Sequence, residues 1–250
     1  RDVERSRGLG DVYKRQMFAY AASAQVMASL LPLFLQNAKG QTALMAGLGM
    51  LPFALAMLAF PQIGRRLSRY LKSPQILVLG LAIVGAGNLA MMVAATQHSE
   101  WLLVASMALL GSGGGLLNGE TTKAIMGTVP RHRAGMASGI STTARFSGIL
   151  LGFASLGAVL ASAVRSAIQA GMLRAGIPLQ AGFADDVVAG DLERAKALYP
   201  HALGETLVSL AHDSYGQGFS NAFLAAAVLA LLASLAVGVL MRGAVSGAPR

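Results

Sequence analysis

Six stretches of about twenty or more mostly apolar residues, separated by polar segments, constrain this chain more than any other feature. They run over 17–36, 43–63, 75–95, 101–122, 137–164 and 219–241; four carry no charged side chain, and the other two carry one each, Glu120 and Arg145. A helix needs about 20 residues to cross roughly 30 Å of hydrocarbon, and within lipid its backbone groups must pair inside the helix. An all-α membrane protein with a bundle of six spans is therefore expected. Composition agrees, with 54% of residues hydrophobic and only 12% charged, where soluble chains carry about a quarter charged.

The chain opens on a mixed-charge stretch, RDVERSRGLGDVYKRQ, that stops abruptly against the first apolar run. A secretory signal would be basic, then apolar, then end in a small-residue cleavage site, whereas here Asp2, Glu4 and Asp11 are interleaved with the bases. Back-translated, DVYKRQ looks like an in-frame reading of a transposon end used as a sequencing adapter. Residues 1–16 are therefore expected to be foreign to the native chain, which would start at or just before Met17.

The net charge of +9 raises the question of nucleic acid. Setting aside the opening stretch leaves +7, and the remaining bases lie in short segments between apolar runs, a placement that fits membrane orientation and not a phosphate-binding face. Arg65, Arg66, Arg69 and Lys72 lie between the second and third runs, Lys123, Arg131 and Arg133 between the fourth and fifth, and Arg242 after the sixth. By contrast QNAKGQT holds only Lys39 and TQHSE holds no base. Lys and Arg mark the cytoplasmic side, so both ends of the six-span unit are expected in the cytoplasm, with 243–250 as a cytoplasmic tail. The segment 165–218 is then expected to be a solvated extracytoplasmic loop on the membrane face, in which DLERAKALYP and GETLVSLAHDSY form short surface helices.

Cysteine is absent, and His98, His132, His201 and His212 are scattered outside the apolar runs, so no metal site and no cofactor are expected. GSGGGLLNGE in the fourth run has no Gly-Lys-Ser/Thr and no preceding strand, which a phosphate-cradling loop requires. Gly111, Gly115 and Gly119 instead repeat every four residues, the spacing at which membrane helices approach backbone to backbone. Asn118 shares that side and is expected to face another helix.

Arg145 is the only charge well inside an apolar run, about 12 Å along the helix from Ala137. Gly148 and Gly152 follow it on the same face. Such a charge costs about 2.5–3.5 kcal/mol on insertion scales and normally faces a bundle interior or water with a partner; the other reading is an arginine that snorkels to the cytoplasmic interface. Glu120 is the candidate partner, in a pair that would close the cytoplasmic side of a pathway, against a local pair with Lys123 on its own helix. Gln25 and Asn88 can contribute polar contacts to a substrate or hydrogen-bond a neighbouring helix. Pro32 and Pro52 each remove a backbone donor inside a run.

Two stretches carry a family resemblance. LPLFLQNAKGQTALMAGLGMLPFAL resembles the first helix and the start of the second in the carboxyl-terminal half of a major facilitator superfamily transporter of the fourteen-span multidrug efflux branch. VPRHRAGMASGISTTARFSGILLG is similar to that branch's penultimate helix, through Pro130, Arg133, Gly135, Ala137, Ser138, Gly139, Arg145, Gly148 and Gly152. The resemblance covers 17–242 and implies one half of the fold, built as three plus three inverted repeats. It departs from the family in PQIGRRLSRYLKSP, where Arg69 falls about where an aspartate often sits, and nothing in the chain corresponds to the amino-terminal half.

The resemblance implies an inner-membrane transporter that exports drugs or amphipathic metabolites by alternating access, coupled to protons, with its amino-terminal half and a small-molecule substrate as partners beside the bilayer. A related facilitator for a small metabolite and a non-transporting half-protein are the alternatives. A membrane enzyme would need acids or histidines clustered near one interface, and the cytoplasmic connections hold no acid apart from Glu120.

Overall fold

The computed structural model describes residues 20–97, 99–127 and 134–246, and these contain no strand. The first helix, α1, joins a π turn, Ala21–Gln25, to an α segment, Val26–Asn37. The second, α2, comprises Ala43–Gly49 and Leu51–Leu67. Its start is capped by the Thr42 side chain, which accepts from the Met45 N–H, and its break at Met50 precedes Pro52, whose ring removes the N–H that would bond back into the previous turn. Then come α3 (Ser73–Thr96) and α4 (Glu100–Gly127), followed by α5 (Ala134–Ala175). The remaining helices are the short α6 (Phe183–Ala189) and α7 (Leu192–Ala197), a 3-10 turn at His201–Leu203, and α8 (Gly204–Ser246). Five helices among the described residues, α2, α3, α4, α5 and α8, are long and apolar enough to cross a membrane. The run at 17–36 is helical from Tyr20 onward, and 17–19 lie outside the described residues.

Part of the packing order repeats with a period of three spans. α3 packs against α4 and α8, α2 against α4, and α5 against α8 and α1. Exchanging α1, α2 and α3 for α4, α5 and α8 maps the α2–α4 pair onto α5–α1 and the α3–α8 pair onto itself, but it maps α5–α8 onto α2–α3, which do not pack closely among the described residues. Because successive spans alternate in direction, units of three that share a packing order are related by inversion, which fits a partial bundle built from inverted repeats. At its centre, Phe34 of α1 meets Phe219 and Phe223 of α8 edge-on, with ring centroids 5.2 and 5.8 Å apart. Met27, Leu31, Leu81 and Met91 are fully buried in the same core.

The segment 165–218 differs from the solvated loop expected of it. α5 does not stop at Val164 but runs on to Ala175, and α8 begins at Gly204. The reason lies in side-chain spacing: Val164, Ile168 and Met172 on α5, and Leu207, Ala211, Tyr215 and Phe219 on α8, recur every four residues and are all buried. This periodicity carries one apolar face past the expected ends of the spans. Between the two helices α6 and α7 form a cap with apolar contacts of its own. Phe183 meets Tyr199 edge-on at 5.2 Å, and the Tyr199 hydroxyl accepts from the Gln180 N–H at 2.8 Å and donates to the Pro178 carbonyl at 3.0 Å. The Tyr215 hydroxyl of α8 donates to the Val187 carbonyl. Phe183, Val187, Ala195 and Tyr199 thereby join the core of the bundle.

Candidate functional site: a polar cluster between α1 and α5

The π turn Ala21–Gln25 is made of small residues, and all but Gln25 are buried. On the facing helix, a Cβ added at Gly152 would lie 2.8 Å from the Ala22 Cα, so this contact between α1 and α5 is possible only with glycine there. One turn before it Gly148 is buried as well. Close approach of the backbones lets Arg145 reach across: its Nε donates to the Gln25 Oε1 at 3.0 Å. Both residues are half-buried. The Tyr20 hydroxyl donates to the Gly114 carbonyl of α4 at 3.3 Å. Tyr20, Gln25 and Ser29 of α1, Phe53 and Met57 of α2, and Gly114 line a cavity of about 200 Å³ between these three helices.

The glycines of α4 sort its faces. A Cβ at Gly111 would run into the Phe53 carbonyl oxygen, and one at Gly115 would lie 2.9 Å from that of Met57, so this face carries α2. Gly113 turns the other way, with its added Cβ 2.7 Å from the Val84 nitrogen of α3. Gly114 has nothing within 4 Å, and Asn118, one turn further along the same line, is exposed. The Gly111–Gly115 face meets α2, Gly114 faces the cavity, and no helix among the described residues covers Asn118. The surroundings of Gly119 lie outside the described residues, as do Arg131 and Arg133.

The structure does not bring Glu120 and Arg145 together. Glu120 is 3% exposed and accepts from the Ser73 hydroxyl in the first turn of α3 at 3.3 Å, whereas Arg145 is bonded to Gln25. Arg65, Arg66, Arg69 and Lys72 are exposed around the connection from α2 to α3. Asn88 lies fully buried in α3; its Nδ2 donates to the Val84 carbonyl at 3.0 Å and its Oδ1 has no partner. Ser141, one turn before Arg145, is 9% exposed and its hydroxyl has no partner either. Tyr20, Ser73 and Ser141 were not foreseen. The signals were available only in part: Ser141 stands four residues before Arg145, and Tyr20 is the only tyrosine of its run.

Membrane-length helices, with a charged side chain held inside an apolar run and bonded to a residue that lines a cavity, define a multi-pass membrane protein with the features of the transporter class. The model of the Major Facilitator Superfamily matches residues 12–169, and the chain belongs to that superfamily. Among curated proteins it is 37% identical over 143 residues to the multidrug resistance protein Stp of Mycobacterium tuberculosis, an alignment covering 57% of this chain and 26% of that protein. It is 30% identical over 210 residues to the multidrug efflux pump LfrA of Mycolicibacterium smegmatis, covering 83% of this chain and 41% of the pump. With the tetracenomycin C resistance and export protein of Streptomyces glaucescens the identity is 29% over 207 residues, covering 80% and 38%. The chain thus spans between about a quarter and two fifths of the length of these relatives.

Proposed function

We propose that this chain forms one wall of a secondary active transporter that exports drugs or amphipathic metabolites by alternating access, driven by proton entry. In this reading it corresponds to the carboxyl-terminal half of a fourteen-span protein of the inner membrane, with both ends of the six-span unit and the basic connections in the cytoplasm and the cap outside. The observation that carries the reading is the bond from Arg145 to Gln25 beside the cavity between α1, α2 and α4. A guanidinium is costly inside a membrane and faces a bundle interior or a watered path.

Two further features support it. Leu44, Leu48, Leu51, Leu55 and Leu58 form an exposed stripe on α2, with Leu58 at 72% exposure, and Met136, Ile140, Phe146, Leu150 and Phe153 are exposed on α5. A second bundle, carrying the proton-coupling acids, would cover part of these faces and supply the opposite wall of the path. The relatives named for multidrug resistance, multidrug efflux and export support efflux over uptake of a small metabolite.

The test is to express the gene with its upstream coding sequence in a bacterium lacking its main efflux pumps and follow accumulation of Nile red, ethidium and fluorescein. Lower accumulation of at least one dye, restored when nigericin collapses the pH gradient, is expected. Accumulation of all three equal to that in cells carrying an empty vector would overturn the reading.

A further inference from the structure

We propose that Arg145, Ser141 and Gln25 form a binding site for the carboxylate of an anionic amphipathic substrate. The proposal rests on the transporter reading above and adds the class of molecule carried.

Three observations support it. The first is an uncompensated charge. Among the described residues Arg145 has a neutral amide as its hydrogen-bond partner, through Nε alone, and no carboxylate lies within 4 Å of its guanidinium. The ion pairs Arg165–Asp185, Arg194–Asp186 and Lys196–Glu193 lie in or beside the cap, away from Arg145. The acid expected to neutralise Arg145 is engaged at the start of α3 by Ser73. A half-buried arginine with a neutral partner keeps its attraction for an anion, and its terminal N–H groups match the two oxygens of a carboxylate.

The second observation is the Ser141 hydroxyl, nine-tenths buried and without a partner among the described residues. Four residues before Arg145, it lies one turn away on the same face of α5. A buried hydroxyl normally bonds the carbonyl of the preceding turn or a neighbour, so an orphan here has a donor to spare.

The third is the orientation of Gln25. With its Oε1 taken by Arg145, its amide N–H groups are the groups left to offer, and Gln25 lines the 200 Å³ cavity between α1, α2 and α4. The three side chains are therefore a set of donors with one positive charge. A carboxylate satisfies such a set, an amine is repelled by it, and the apolar cavity wall from Phe53, Met57 and Leu110 suits an aromatic or aliphatic body attached to that carboxylate.

The test uses the protein expressed from the gene with its upstream coding sequence, reconstituted in lipid nanodiscs, and three probes that share one apolar body: 1-naphthylacetate, 1-naphthylacetamide and 2-(1-naphthyl)ethylammonium. The acetate is expected to bind at least tenfold more tightly than the amide and more tightly still than the amine. Arg145→Gln should remove the preference for the acetate while moving the amide by less than twofold, and Arg145→Lys should restore part of it. Ser141→Ala should weaken the acetate alone by about threefold. Gln25→Glu keeps the arginine and sets a carboxylate beside it; it should abolish the acetate preference with thermal stability at or above that of the parent. Equal binding of the three probes, no binding of the acetate, or an acetate preference that survives both Arg145→Gln and Gln25→Glu would overturn the proposal. Because binding is read without transport, a failure of dye efflux in cells and a failure of anion selectivity in nanodiscs are separate results.

Discussion

Gly152 of α5 stands so close to Ala22 of α1 that an added Cβ would lie 2.8 Å from the Ala22 Cα, while Gly157, five residues on, has nothing within 4 Å. The two glycines of one helix therefore carry opposite expectations. Gly152→Ala should push α5 off α1 and destabilise the fold by about 1–3 kcal/mol. Gly157→Ala should be neutral or stabilising by about 0.5–1 kcal/mol, since glycine inside a helix is unfavourable. Thermal unfolding of both variants in one detergent checks this; equal effects would mean that α5 does not meet α1 through Gly152.

Arg145 and Gln25 share a bond, and Arg145 and Glu120 do not. A double-mutant cycle on Gln25→Leu and Arg145→Gln should give a coupling of about 0.5–3 kcal/mol in stability, whereas Glu120→Gln and Arg145→Gln should add to within about 0.5 kcal/mol. A strong Glu120–Arg145 coupling would revive the gate expected from sequence.

Tyr199 holds the cap through both lone pair and proton of its hydroxyl. Tyr199→Phe leaves the Gln180 N–H and the Pro178 carbonyl without that partner, at a local cost of about 1–3 kcal/mol. Limited proteolysis within 176–203 should accelerate several-fold while helix content measured by circular dichroism stays unchanged.

Lys39, in the connection between α1 and α2, donates to the Ala94 and Gln97 carbonyls at the end of α3, at 3.3 and 2.9 Å, and sits over the Phe34 ring. Burial holds its ammonium below the usual lysine range. The folded chain then binds fewer protons than the unfolded chain in the alkaline range. Stability should rise as pH climbs through the folded value towards the unfolded one of about 10.4, and be flat above it. Lys39→Met should remove that rise, read from unfolding temperatures between neutral pH and about pH 11.

The course of the helices was legible because charge is scarce in this chain, and the face of α4 was legible because glycines four apart have one common use in a membrane. What faces them, Phe53 and Met57, depends on which helices are neighbours, and a single sequence does not state adjacency. The same gap explains Arg145. Its inward direction follows from Gly148 and Gly152, but charge alone suggested Glu120 as partner, whereas helix packing sets α5 on α1 and leaves Glu120 at the start of α3. Asn118 lies within a turn of both Gly114 and Gly115, which belong to different faces of α4, so spacing alone does not say which face it shares. The cap was missed for a further reason: the boundaries followed charges such as Arg165, while the apolar spacing continued past them to Met172 and began again at Leu207.

α5 and α8 are 42 and 43 residues long, roughly 63–65 Å at 1.5 Å per residue, about twice the thickness of the hydrocarbon they would cross. The cap is fastened to their protruding ends by Phe183, Tyr199 and Tyr215 and cannot turn independently of them. Any tilt of these helices in the bilayer is therefore magnified at the cap as at the tip of a lever. A spin label or a binder fixed to α6 would register motions too small to measure at Arg145.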